Sequence, residues 1–174
     1  MSNKLPKPIV FFDMDGVLAD FYPHAKAHDK LDAKGEAKWD ELDYKWWISM
    51  PVCDGAKAVY DSVYTKYPEL EARILSAPAL SEESFAGKAH WVQQFHGGDR
   101  RSLSNLLLVA AKDKNLLARP NHILIDDRIK NVLQWREAGG IAIHHKGDFE
   151  VTRRELERAL AEIQEHNKKS DIIR

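Results

Sequence analysis

Two aspartates separated by one residue, Asp13 and Asp15, close the apolar run Ile9-Val10-Phe11-Phe12 and are followed at once by Gly16. Carboxylates held that close repel one another, and the repulsion must be relieved by a proton or a cation. A hard cation such as Mg²⁺ takes oxygen ligands and keeps several waters, so one or two carboxylates and a phosphate oxygen complete its shell. Gly16 allows a turn that a side chain would obstruct. A second acidic pair, Asp126-Asp127, ends the run Ile123-Leu124-Ile125. Alone it could be a helix N-cap, because Asp favours that position and helix-spaced residues follow. Beside the first pair it supplies the remaining ligands for a metal. Ser76 closes a third run, Ile74-Leu75, where its hydroxyl and nearby backbone N–H groups can donate to phosphate oxygens. In isolation, Ser-Ala-Pro is a turn. A phosphoryl group beside several carboxylates needs positive charge beyond the metal. Lys88, Lys112 and Lys114 lie in the right part of the chain, and spacing alone does not choose among them.

These residues need elements to position them. Ile9 to Phe12, Arg73 to Ser76, Leu106 to Val109, His122 to Ile125 and Ile141 to Ile143 are short apolar runs of the kind that form strands buried on both faces. Between them, Ala56, Val59, Tyr60 and Val63 recur at helical intervals, as do Phe85, Ala89, Val92 and Phe95, and then Ile129, Val132, Leu133 and Trp135. Thr152 with Glu155 has the spacing of a capping box and opens a last helix carrying Leu156, Leu160 and Ile163. Strands alternating with helices imply an α/β fold with a parallel sheet, whose ligands bind at the carboxyl ends of the strands. The stretch 19–54 breaks the rhythm with charge, Trp and Tyr, and reads as a small helical cap inserted after the first strand. The core is then 1–18 and 55–174.

Composition narrows the class. The 174 residues carry 26 Lys plus Arg against 27 Asp plus Glu, a net charge of −1, so nothing marks a nucleic-acid or anionic-membrane binder. The single cysteine, Cys53, forms no internal disulfide, and no apolar run approaches the roughly 20 residues that cross a bilayer. A cytoplasmic protein is the expectation, with a homodimer left open. Three of the five tryptophans, Trp39, Trp46 and Trp47, fall within nine positions of the insert. They either form the cap's own core or meet a ligand; adjacent residues on a helix do not share a face, so one of Trp46 and Trp47 should be free. His144-His145 follows a strand, points to opposite faces and reads as a solvated pair.

The ordered set Asp13-x-Asp15-Gly16-Val17, Ser76, a lysine and Asp126-Asp127 resembles the haloacid dehalogenase superfamily of phosphotransferases over nearly the whole chain. Phe12-Asp13-Met14-Asp15-Gly16-Val17-Leu18-Ala19-Asp20-Phe21 is very similar to the opening motif of the 5'(3')-deoxyribonucleotidases, and the match continues at Trp46-Trp47-Ile48-Ser49, Leu75-Ser76-Ala77-Pro78, Lys88-Ala89-His90-Trp91-Val92, Lys112-Asp113-Lys114 and Leu124-Ile125-Asp126-Asp127-Arg128. The resemblance implies a three-layer Rossmann-like core and hydrolysis of nucleoside monophosphates, deoxypyrimidine ones first. It implies Asp13 as nucleophile and Asp15 as acid and base. Mg²⁺ would be held by Asp13, Asp15 through its backbone carbonyl, Asp126 and Asp127. Ser76 and Lys114 would hold the phosphate, Lys88 would support the acidic cluster, and Phe21, Trp46, Trp47 and Ile48 would enclose the base. Two positions depart from the family: Leu80 stands where a phosphate-site lysine is expected, and Ser76-Ala77 replaces Thr-Ser. Ile125-Asp126-Asp127-Arg128 with Val132, Trp135-Arg136, Gly139 and Gly147-Asp148-Phe149 is also similar to the 3'-phosphatase domain of polynucleotide kinases. A nucleotide-binding module without chemistry is the third reading, and the presence of every reactive position argues against it.

Overall fold

The computed structural model describes residues 7–67 and 70–172. Five strands, β1 (Ile9–Phe12), β2 (Glu71–Ser76), β3 (Leu106–Leu108), β4 (Ile123–Asp126) and β5 (Ile141–His144), form one sheet in the order β3-β2-β1-β4-β5. Every neighbouring pair is parallel. Alternation along the strands explains why these runs are apolar throughout. Val10 and Phe12 of β1 and Ile123 and Ile125 of β4 enter one hydrophobic cluster, while Phe11 and Leu124 enter another on the opposite face.

Helices cover both faces. On the first lie α3 (Ala56–Lys66), α4 (Glu82–Phe95) and α6 (Phe149–Ile172), contributing Tyr60, Trp91 and Leu156. On the second, α5 (Ile129–Glu137) contributes Val132 and Trp135. The result is a three-layer α/β fold, as expected. Among the described residues, no helix is long and apolar enough to cross a membrane.

Between β1 and α3 the chain makes α1 (Phe21–Ala27), a 3₁₀ turn (Trp39–Glu41) and α2 (Tyr44–Ser49). Asp43 caps α2, its side chain accepting from the Trp46 backbone N–H at 2.8 Å. The insert has no separate core. Phe21, Leu42, Trp46, Trp47 and Met50 belong to the same buried cluster as Phe12 and Tyr60.

Two local expectations change. The last helix begins at Phe149, because Asp148 accepts from the backbone N–H groups of Glu150 and Val151 at 2.9 and 3.0 Å. Thr152 therefore lies inside the helix, where its hydroxyl bonds the Asp148 carbonyl and the His145 ring. The histidine pair is not solvated, because both rings are engaged. His145 is buried against Thr152 and Phe149, and His144 Nε2 lies 2.9 Å from the Asp127 carbonyl.

Candidate active site

Strand order reverses at β1, which has β2 on one side and β4 on the other. At such a switch point the chain leaves the sheet in opposite directions and opens a crevice at the strands' carboxyl ends. Asp13 follows β1, Ser76 ends β2 and Asp126 ends β4, so three of the expected residues converge for a topological reason. The Asp13 N–H donates to the Ile125 carbonyl at 2.8 Å, continuing the β1–β4 ladder one residue beyond the strand.

The loop after Asp13 is a tight turn, with the Leu18 and Ala19 N–H groups both bonding the Met14 carbonyl at 2.8 Å. Gly16 has φ of 79°, and a Cβ there would lie 2.4 Å from Asp127 Oδ2. The glycine is therefore needed both for the backbone conformation and for close approach to the second acidic pair.

Two lysines organise the carboxylates. Lys114, in the 3₁₀ turn Ala111–Leu117, donates to Asp13 Oδ1 and to Asp126 Oδ2, both at 2.9 Å. Lys88, from α4, donates to Asp15 Oδ2 at 2.5 Å and to Ser76 Oγ at 3.1 Å. Both lysines are buried, whereas Lys112 is exposed. Asp126 also accepts from the Arg128 N–H at 2.9 Å and from Asn131 Nδ2 at 3.0 Å to each oxygen. The N-cap of α5 is Arg128 with no side-chain cap, so the helix-cap reading of the acidic pair does not hold and Asp126 serves the site.

Burial is what shifts the acids. Asp13 is pushed up to about 7 by desolvation, aided by the charges of Asp126 and Asp15 and opposed by Lys114. Asp127 is pushed up to about 6, again by burial first and by Asp126 second. For Lys114, burial acts against the charged form, but the Asp13 and Asp126 charges outweigh it and raise the ammonium's pKa.

A cation fits this set. Asp13, Asp126 and Asp127 each offer a ligand atom, and those atoms lie within 4.8 Å of one another. Asp127 Oδ1 is buried with no hydrogen-bond partner, which is costly for a carboxylate unless a ligand supplies one. All the donors are oxygens, as hard cations such as Mg²⁺ require. The Asp15 side chain is outside the trio, with Oδ2 on Lys88 and Oδ1 buried without a hydrogen-bond partner.

Above the acids lies a cleft of about 480 Å³, lined by Asp13, Asp15, Lys114, Asp127, Arg128 and Asn131 at its base and by Phe21, Tyr22, Trp39 and Asp40 from the insert. Ala77, Pro78, Ala79, Leu80 and Ser81 form the facing wall with Ala110 and Ala111. Phe21 is where it was expected. Trp46, Trp47 and Ile48 are not on this wall, and the expectation that one of the adjacent tryptophans meets a ligand is corrected. The two do not separate: their rings meet edge to face at 5.0 Å and both pack on Phe21, with Trp46 also beside His24 and Trp47 on Gly87 of α4. They are 5% and 0% exposed, whereas Trp39 is 41% exposed and lines the cleft. Tyr22, Asp40, Arg128 and Asn131 line the cleft without having been selected from the sequence, and Trp39 does so although the sequence left it open between cap core and ligand contact. Of the unselected residues, Arg128 adjoins Asp127 and carried a signal.

A Vibrio phage KVP40 protein named "Putative 5'(3')-deoxyribonucleotidase" is 33% identical over 132 residues, covering 75% of this chain and 72% of its own length. The chain belongs to that protein's family. A protein described as a HAD (haloacid dehalogenase) hydrolase, family IA, variant 3, from Entamoeba histolytica superposes with a TM-score of 0.54 at 14% identity, covering 81% of this chain and 85% of its own. A hydrolase from Pseudomonas syringae does so with a TM-score of 0.51 at 13% identity, covering 87% and 90%. At those identities the likeness is one of fold. No family model matches the chain. In this fold Asp13, Asp126 and Asp127 form a strand-end acidic cluster able to take a metal.

Proposed function

We propose that this protein is a Mg²⁺-dependent phosphatase of nucleoside monophosphates, deoxypyrimidine ones first, acting through an aspartyl-phosphate on Asp13. The observation that carries the reading is the different treatment of two carboxylates one residue apart. Asp13 is buried, with the Met14 N–H and Lys114 on Oδ1 at 2.7 and 2.9 Å, while Asp15 faces the cleft with Lys88 on Oδ2. A pair of acids in distinct environments suits two distinct roles.

In the first step Asp13 Oδ2, which carries neither of those bonds, attacks phosphorus. The P–O bond to the sugar breaks as Asp15 gives its proton to the departing oxygen. In the second step water attacks the same phosphorus, Asp15 takes its proton, the Asp13–phosphorus bond breaks, and inorganic phosphate leaves with Asp13 again a carboxylate and Asp15 again protonated. Splitting one difficult displacement in two is the benefit of a covalent carboxylate. Asp13, Asp126, Asp127 and the Asp15 carbonyl would hold Mg²⁺, which supplies charge neutralisation between the acids and the phosphate oxygens. In this reading Ser76 and Lys114 would donate to the phosphate; Lys114 lines the cleft, whereas Ser76 is buried with its hydroxyl oxygen accepting from Lys88.

The cleft supports a mononucleotide. Its insert wall is aromatic, from Phe21, Tyr22 and Trp39, and every base offers a π-face to such a surface. Among the described residues lining the cleft, Lys114 and Arg128 are the cations, fewer than a polynucleotide backbone would call for. The test is phosphate release with Mg²⁺ from dUMP, dTMP, ribonucleotides and a 3'-phosphorylated oligonucleotide. Faster turnover of the deoxymononucleotides is expected; preference for the oligonucleotide, weakening steeply with salt, would overturn the substrate assignment.

A further inference from the structure

Lys88 is wholly buried, so its ammonium has given up water on every side. A lysine has three N–H donors, and two protein oxygens receive them here: Asp15 Oδ2 at 2.5 Å and Ser76 Oγ at 3.1 Å. What faces the ammonium besides is the indole of Trp47, whose ring centre lies 4.7 Å from Nζ. A desolvated ammonium over an indole face is attracted to the ring's negative quadrupole.

Trp47 is itself firmly placed. It is 0% exposed, and its Nε1 donates to the Leu42 carbonyl at 3.1 Å. Residue 87 has to be glycine for the indole to sit there, because a Cβ on Gly87 would come within 2.3 Å of Trp47 Cβ. The same helix pair is held by Trp91 Nε1 donating to the Met50 carbonyl at 2.8 Å. Trp47 belongs to the insert, while Lys88, Asp15 and Ser76 belong to the core.

We infer that Trp47 is a positioning residue for catalysis: its indole face fixes the Lys88 ammonium against the Asp15 carboxylate, so the insert sets the aim of the group that protonates the leaving oxygen. The assignment of that proton to Asp15 rests on the proposed phosphatase reading. Trp47 acts from outside the cleft, through Lys88, and contacts no substrate.

The consequence is a leaving-group effect. An alkoxide leaving from dUMP needs its proton, whereas nitrophenolate leaving from p-nitrophenyl phosphate needs little help. Trp47→Met keeps an apolar filler but removes the π-face, and Trp47→Phe keeps a smaller one. With Mg²⁺ and dUMP, Trp47→Met is expected to lower kcat roughly ten- to a hundredfold with KM within about twofold, and p-nitrophenyl phosphate turnover by less than about threefold. Trp47→Phe should recover most of the loss. Equal losses on both substrates, or equal losses in both variants, would overturn the inference and leave Trp47 as packing alone. A second measurement needs neither variant nor turnover. In the NMR spectrum of the unmodified protein, the Lys88 ε-methylene and ammonium protons should be displaced upfield by the indole ring current. Ordinary lysine positions would overturn the contact. If the unmodified protein released no phosphate from either substrate, the phosphatase reading and the catalytic half of this inference would fall, while an upfield Lys88 would still establish the contact.

Discussion

Asp13 and Asp15 are one residue apart in the chain and are held by different lysines, Asp13 by Lys114 at 2.9 Å and Asp15 by Lys88 at 2.5 Å. The two ammonium groups come from separate elements, the 3₁₀ turn Ala111–Leu117 and helix α4. One short loop can therefore carry two carboxylates with separate duties, because each has its own counter-charge.

Removing Lys114 should be severe. Lys114→Met leaves Asp13 and Asp126 buried beside each other with their shared cation gone, and breaking such a pair costs about 3–5 kcal/mol. Urea denaturation without divalent cation should show a loss of that size, and saturating Mg²⁺ should restore part of it. A loss under about 1 kcal/mol would mean that the carboxylates are relieved some other way.

The acids give the site a pH signature. Asp13 rises from an ordinary 3.8 to about 7 on folding, and Asp127 to about 6. Between those limits the folded state binds more protons than the unfolded one, so these two groups make the cation-free protein less stable as pH climbs from about 4 to about 7. Mg²⁺ must displace those protons, so its stabilisation should be small at pH 5 and large at pH 8. Melting temperatures with and without Mg²⁺ at both values check this; a cation effect independent of pH would contradict it.

Gly16 tests the join between the two acidic pairs. Gly16→Ala meets Asp127 Oδ2 at 2.4 Å and strains a backbone at φ of 79°, so the loop or Asp127 must move. Phosphate release should fall about a hundredfold or more, as misplacement near 1 Å does, with fold stability reduced by about 1–3 kcal/mol. Activity within a few-fold of the parent would show that Asp127 need not sit there.

Trp39 and Trp46 should part company. Trp39→Ala removes an exposed wall residue, so KM for dUMP should rise about tenfold or more while p-nitrophenyl phosphate and stability barely change. Trp46→Ala excavates the core and should cost about 3–5 kcal/mol. The reverse pattern would place the base on the other side of α2.

Much of this was legible in the chain itself. Ile9 to Phe12 and Ile123 to Ile125 are apolar at every position because both faces of a parallel sheet are covered, and an aspartate ending such a run has to emerge at the crevice. The tryptophans were not legible. Local pattern puts Trp46 and Trp47 on different faces, and cannot show that their rings meet edge to face with Phe21 of α1 against both and α4 over Trp47. For the same reason Lys88 and Lys114 looked interchangeable with Lys112 until helix α4 and the 3₁₀ turn delivered each to its own carboxylate. Thr152 misled through a valid capping spacing, overridden by Asp148 one turn earlier.

The central claim is that Asp13 carries the phosphoryl group, and chemical trapping reads it directly. Protein turning over dUMP with Mg²⁺ is quenched, treated with borohydride, which reduces an acyl phosphate to an alcohol, and mapped by peptide mass spectrometry. Conversion of Asp13 to homoserine, dependent on substrate and absent from Asp15, Asp126 and Asp127, is the predicted result. Active protein with Asp13 unreduced, or with the reduction on another aspartate, would contradict the account.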